Sequence, residues 1–358
     1  MIADKDLPRL RYLIEHIAPR IGHHIHYLDA LPALDHYAPP SSGSNSSFPY
    51  LEELSLSSST TTARQELYAA LLRLTPNLAG IDLLLPVIHP KLSPVLPVLR
   101  AGFASQLRSL SLHGQPEGRL EASWVGELLG GLPGLVQVDL AWVEPSGHRH
   151  ATDDPLARGL ASLPKLRRLN LTQVEHFSHS WLAPTWLGPI EDVSLKWCGP
   201  SQDHPLAHAF FALFSPTLRA VRYTPAPTPA FAHPALIPPH LTTSPLSSPT
   251  LLHLPQLTHI SLHPPLTPAH LTSFLACPIE TIRFTSAPHG EQEWDALVML
   301  LEGFSGTLEK LELRVGQPSN LGYITMNDVA KWCWEGGIAY KLDRWEEGEE
   351  GRVVWVTD

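Results

Sequence analysis

His204 and His208 stand four residues apart on a stretch with helical apolar spacing, a separation that turns two imidazoles toward one metal ion. No third ligand follows at a defined spacing, so the pair reads either as half a metal site or as two histidines on a helix face, and no metal is expected. His23, His24 and His26 surround a short strand and read as solvent-facing polar residues. The run GFSG at 303–306 lacks the spacing of a G-x-S-x-G nucleophile elbow. The chain also has no G-x-x-x-x-G-K-[ST] phosphate loop, no G-x-G-x-x-G and no H-E-x-x-H. Enzymatic chemistry and a bound cofactor therefore have no anchor in the sequence. Trp332 and Trp334 suggest either a ligand platform or aromatic closure of an apolar end, and packing against the preceding repeat is the expected role.

The elements that must position any site come from a different signal. The pattern L-x-x-L-x-L starts at Ile25, Leu51, Leu78, Leu107, Leu135, Leu166, Ile190, Leu218, Leu257, Ile279 and Leu308. The spacing runs from 22 to 39 residues with a mean of about 28. Alternation within each copy predicts a short strand whose fourth and sixth side chains enter a core. Between copies, apolar residues recur at helical spacing, as at Leu67, Ala70, Leu71 and Leu74, or Leu206, Phe210, Leu213 and Phe214. Asp154-Pro155 and Thr267-Pro268 look like helix starts, and Thr325 to Asp328 resembles a capping box. One strand and one helix cannot bury their own apolar sides, so successive units must stack. Strands stack about 4.8 Å apart and helices about 8 to 10 Å, which bends the array with its sheet inside. The expected fold is α/β, a right-handed solenoid or horseshoe with a concave parallel sheet and convex helices.

These residues resemble the leucine-rich-repeat family over roughly Ile25 to Gly316, about four fifths of the chain. The irregular period, the abundance of Pro, His and Ser, and strands such as IEDVSLKWC are similar to the arrays of fungal F-box-type proteins. That likeness implies repeats that select a substrate and an N-terminal segment docking to a ubiquitin-ligase core. DLPRLRYLIEHI at 6–17 has a Leu-Pro start, but it reads more simply as the capping helix of the first repeat. The ninth position departs from the family: Ala33, Ser59, Pro86, Gln115, Val143, Val174, Cys198, Ala226, Pro265, Ala287 and Gly316 form no Asn or Cys ladder, so the turning backbone must be satisfied otherwise.

The expected organisation is a capping helix at 1–24, an array of about eleven units at 25–316, and a C-terminal cap at 317–358. The cap should hold a helix near 325–334, a strand near 338–342, an acidic turn DRWEEGEEG and the strand RVVWV. A proline-rich stretch at 224–250 reads as a tolerated surface insertion or as a ligand for a proline-reading domain.

Composition narrows the partners. Net charge is -10 with 25 Lys plus Arg, against nucleic acid, and no apolar run reaches membrane-spanning length. Cys198, Cys277 and Cys333 are widely spaced, which argues for buried thiols and a cytoplasmic or nuclear setting. Residues at the third, fifth and seventh positions of each copy face away from the core. They include Asp29, Glu53, Asp82 and Asp139 early in the chain, then Arg168, Lys196, Arg222, Arg283, Lys310 and Arg314, with His259, His263, Asp192 and Glu312 among them. A solvated sheet face also carries charges, but sorting by sign favours a binding face. These six cations are the expected partner-binding residues, matched to an acidic protein segment, with Arg222 and Arg283 roughly 10 Å apart, two strands removed at the same fifth position.

Overall fold

The computed structural model describes residues 11–24, 26–29, 66, 69–84, 95–114, 119–145, 154–175, 177–198, 204–225, 251–263, 268–284, 291–315, 329–347 and 353–357. They divide into two compact units, although the repeat pattern runs on without a break. The first comprises Met1–Leu166 with Ala183–Gly188, the second Arg167–Leu182 with Pro189–Asp358. Both are built from parallel strands joined by helical crossovers. The fold class is α/β, a leucine-rich-repeat solenoid.

In the first unit the parallel ladder runs through β1 (Tyr27–Asp29), β2 (Gly80–Leu84), β3 (Ser109–His113) and β5 (Gln137–Glu144), while β4 (Leu120–Glu121) pairs with the far end of β5. In the second it runs through β6 (Arg168–Val174), β7 (Asp192–Lys196), β8 (Ala220–Thr224), β9 (His259–Leu262), β10 (Thr281–Phe284), β11 (Lys310–Val315) and β12 (Ala339–Glu347), and β13 (Val353–Thr357) closes it antiparallel.

Ten strands each begin two residues after a copy of the pattern, and equal pattern positions pair, as in Ser109↔Gln137 and Asp192↔Ala220. One hydrogen-bond motif enforces this register. The carbonyl at the second position of a rung accepts the N–H groups of the second and third positions of the next, for example Arg219 and Ala220 on Glu191 O at 2.8 and 3.0 Å, then Thr258 and His259 on Arg219 O at 3.0 Å each. Since a one-residue slip would turn every leucine to solvent, burial and register reinforce each other. Leu110, Leu112, Leu140, Leu169, Leu171, Leu195, Ile260 and Ile282 are all within 1% of complete burial.

Helices cover the opposite side of the leucines. They are α1 (Val95–Phe103), α2 (Ala122–Gly130), α3 (Pro155–Ala161), α4 (His204–Ala212) and α5 (Glu291–Glu302), with 3-10 segments at His179–Leu182 and Pro268–Phe274. Asp154 caps α3 as its sequence suggests, accepting from Leu156 N at 2.9 Å and Ala157 N at 3.1 Å with Pro155 at the first helical position. The element after Thr267 is the 3-10 segment and not an α-helix. The N-terminal segment changes winding within twelve residues, from a π turn at Leu13–Ile17 through Ala18–Ile21 to a 3-10 turn at Gly22–His24.

Several expectations meet a different outcome. β1 pairs directly with β2, so no rung stands between the Ile25 and Leu78 copies, and the Leu51 copy lies outside the described residues. The Thr325 capping box and the proline-rich residues 226–250 lie outside them too. The acidic turn is shorter than its charges suggest, because β12 carries the ladder on to Glu347. Trp334 does not pack on the repeats: it is 86% exposed, and Cys333, Val329 and Ile338 fill that role beside a half-buried Trp332.

Candidate protein-binding face

The side chains on the open side of the second unit's sheet form rows across the strands. The third-position row reads Arg168, Asp192, Ala220, His259, Thr281, Lys310 and Ala339, and the fifth-position row reads Asn170, Ser194, Arg222, Ser261, Arg283, Glu312 and Lys341. Lys196 stands at the seventh position beside Thr172 and Thr224. Among the described side chains of these rows and that position, six cations face two carboxylates. The equivalent positions of the first unit carry Asp82 and Asp139 with Ser109, Ser111, His113 and Gln137, and no Lys or Arg among described side chains.

Five of the six predicted cations, Arg168, Lys196, Arg222, Arg283 and Lys310, are thus exposed on one unit's sheet. The backbone of Arg314 belongs to β11, opposite Asp343, and its side chain lies outside the described residues. Sequence reasoning places Asp192 and Glu312 on the same face but does not pair them with these cations. Arg222 donates from Nη2 to Asp192 Oδ2 at 2.7 Å, one strand away. Arg283 Nε lies 3.7 Å from Glu312 Oε2, and Lys310 Nζ 2.6 Å from Glu312 Oε1. Arg222 and Arg283 do stand two strands apart at the fifth position, with Ser261 between them, but each already meets a carboxylate of the chain. Half-exposed pairs of this kind contribute about 0 to 1 kcal/mol, so a partner carboxylate competes with them on near-equal terms. Their second effect is to hold the guanidinium groups over the sheet.

The strand ends explain how the turns manage without a ninth-position ladder. At the eighth position Trp142, Gln173 and Trp197 adopt left-handed backbone with φ of 60°, 54° and 55°. At Trp197 this bends the chain just past β7, whereas at Trp142 and Gln173 it falls within β5 and β6, and in all three rungs the ninth-position residue, Val143, Val174 or Cys198, is buried. Cys198 Sγ donates to Leu171 O at 3.3 Å in the preceding rung. Burial pushes its thiol up to about 12, which makes it a structural hydrogen-bond donor and a poor nucleophile. Left-handed backbone costs a bulky side chain roughly 1 to 2 kcal/mol. In both tryptophan cases a cation lies over the ring: Arg119 Cζ at 5.8 Å from the centroid of Trp142, and Lys196 Nζ at 4.6 Å from that of Trp197.

The nearest approach to hydrolytic machinery among the described residues is Ser111, His113 and Asp82 in the first unit. Ser111 Oγ lies 2.7 Å from His113 Nε2, and Asp82 Oδ1 lies 3.8 Å from that same nitrogen. A catalytic relay needs the hydroxyl and the carboxylate on different ring nitrogens, so this arrangement cannot pass a proton along it. The metal reading of His204 and His208 divides similarly. The side chain of His204 lies outside the described residues, and His208 packs edge-on to Phe274 with ring centroids 5.7 Å apart. Burial and the neighbouring His270 lower its pKa to about 4. No cluster of three or more metal-ligating side chains exists among the described residues, and no helix among them is long and apolar enough to cross a membrane.

Fold and face together define a leucine-rich-repeat solenoid with an exposed, charged parallel sheet. No family model matches the chain, and no curated protein matches it significantly. Among solved structures it is similar to a chain of the complex of Rad7 and Elc1 in yeast, with a TM-score of 0.36 and 12% identity over 72% of this chain and 70% of that one. It is also similar to an internalin from Listeria monocytogenes, with a TM-score of 0.34 and 13% identity over 75% and 74%.

Proposed function

We propose that the chain is a non-enzymatic protein-interaction module that takes an acidic protein segment on the sheet face of its second unit. The observation that carries this reading is the excess of cations on β6 to β12 of a chain whose net charge is -10. A patch of sign opposite to the rest of a molecule steers partners of matching charge to itself. The partner-binding residues are Arg168, Lys196, Arg222, Arg283, Lys310 and Arg314. The capping helix, repeat array and C-terminal cap serve to hold this face.

The test compares two altered proteins, each first checked for a cooperative unfolding transition well above the assay temperature. One carries Lys196→Gln, Arg222→Gln and Arg283→Gln; the other lacks residues 226–249. Glutamine is used because glutamate at 222 or 283 would repel Asp192 or Glu312. An acidic peptide of alternating Glu and Gly should bind the triple variant at least tenfold more weakly than the wild type and the deletion variant normally. Loss of binding in the deletion alone would move the site to the proline-rich insertion.

The likeness of the sequence to F-box-type arrays supports a finer version, in which the face selects substrates for a ubiquitin ligase. A plain scaffold or regulator is the alternative. Purification of the tagged protein from its own cells separates the two: ligase core subunits at stoichiometric yield favour the first, and another stable partner without them favours the second.

A further inference from the structure

We infer that Trp197 is an anchor of this face, holding one apolar or aromatic side chain of the docked acidic segment beside the cations of β6 to β8. The inference rests on the charge reading above and adds to it the chemistry of the partner: carboxylates flanking a single apolar residue.

Trp197 has a backbone that disfavours a bulky side chain, with φ of 55°, and 37% of the residue stays exposed, so part of its ring is open to a partner. The turn does not require it. Position eight of the preceding rung takes the same conformation with Gln173, and asparagine suits left-handed backbone better than either. The turn is nevertheless held on both sides. Trp197 N donates to Thr224 O at 2.7 Å, and the next residue, Cys198, is buried and donates from Sγ to Leu171 O and Lys196 O. The ring is therefore presented from a fixed base at the edge of the cationic rows.

Its surroundings specify what it meets. Lys196 Nζ lies 4.6 Å from the ring centroid, which fixes a positive charge directly beside an apolar surface. Arg222 stands one strand away and two positions before Lys196, and Arg168 one strand away on the other side and four positions before it, so the three cations span about 10 Å across the strands and about 13 Å along them. Tryptophan and arginine together are the pairing that concentrates binding energy in protein interfaces. A stacked nucleobase between phosphates is the competing occupant, and the acidic net charge of the chain opposes it.

The experiment uses three fluorescein-labelled probes on the full chain: a twelve-residue peptide of alternating Glu and Gly, the same peptide with one central Gly replaced by Phe, and a twelve-nucleotide oligo(dT). The wild type should bind the Phe peptide about tenfold more tightly than its parent. Trp197→Asn should keep a cooperative unfolding transition above the assay temperature and bind the two peptides alike, while Trp334→Ala, an exposed tryptophan off the face, should keep the tenfold preference. A preference that survives Trp197→Asn overturns the anchor, as does oligo(dT) binding more tightly than either peptide. If the wild type binds neither peptide, the charge reading itself fails. If it binds both equally, only the anchor does.

Discussion

Arg222 and Asp192 meet across β7 and β8 with Nη2 and Oδ2 2.7 Å apart, while the other carboxylate oxygen of Asp192 is buried with no hydrogen-bond partner among the described residues. The arginine is half exposed and the aspartate mostly covered, so the two ends of the pair differ in what their loss would do. Arg222→Gln should lower stability by about 1 kcal/mol. Arg222→Glu should cost about 1 kcal/mol more, because it sets two carboxylates a strand apart over a partly covered site. Urea unfolding of the two variants checks the order, and equal stabilities would show that the pair is fully solvated.

Gly126 and Gly159 let α2 and α3 touch backbone to backbone. A Cβ on Gly159 would stand 2.5 Å from Gly126 O, and one on Gly126 would stand 2.2 Å from Pro155 O. Alanine at either position should destabilise the first unit by about 1 to 3 kcal/mol through overpacking. Gly102, in the last turn of α1, has open space around its Cβ position, so Gly102→Ala should gain up to about 0.5 kcal/mol from helix propensity alone. Opposite signs in thermal unfolding are the expected result.

Leu169 is completely buried at the fourth position of its rung. Leu169→Asp places a carboxylate where no cation can reach it, and the variant should lose its cooperative unfolding transition. Leu110→Asp should do the same in the first unit. A folded, cooperative Leu169→Asp protein would contradict the packing described here.

His208 gives the second unit a pH dependence. Its folded pKa, lowered to about 4, lies below the unfolded value of 6.5, so its neutral form belongs to the fold. Its contribution is complete above pH 6.5 and is lost as the pH falls toward 4. The melting temperature should therefore drop over this range, and His208→Phe should flatten that part of the profile. An unchanged profile in the variant would assign the acid sensitivity to other groups.

How far the sequence reads through to the structure depends on whether a feature is set by pattern or by contact. Strand positions and register followed directly, because Leu110, Leu169 and their equivalents leave one face of each strand no alternative to burial. Asp154 was equally readable, since a capping carboxylate before proline is a local device. The left-handed residues were not: Trp142 and Trp197 are residue types that argue against that conformation, and Trp197 is held in it by its hydrogen bond to Thr224 O on the next strand. The carboxylate partners of Arg222, Arg283 and Lys310 depended on which side chains reach across the rungs. Trp334 shows the converse, as its apolar character implied packing that the helix at 329–335 gives to Cys333.

The central claim, that an acidic segment docks on the cationic sheet of the second unit, is tested most directly by photo-crosslinking. A Glu-rich peptide carrying one benzophenone, irradiated with the full chain and mapped by mass spectrometry, should label residues of β6 to β11, with Lys196, Trp197 and Arg222 foremost, and should lose that labelling at 0.5 M salt, where charges are screened over roughly 4 to 5 Å. Labelling concentrated in residues 226–250 or on the helices, or labelling of the sheet that persists unchanged in salt, would contradict it.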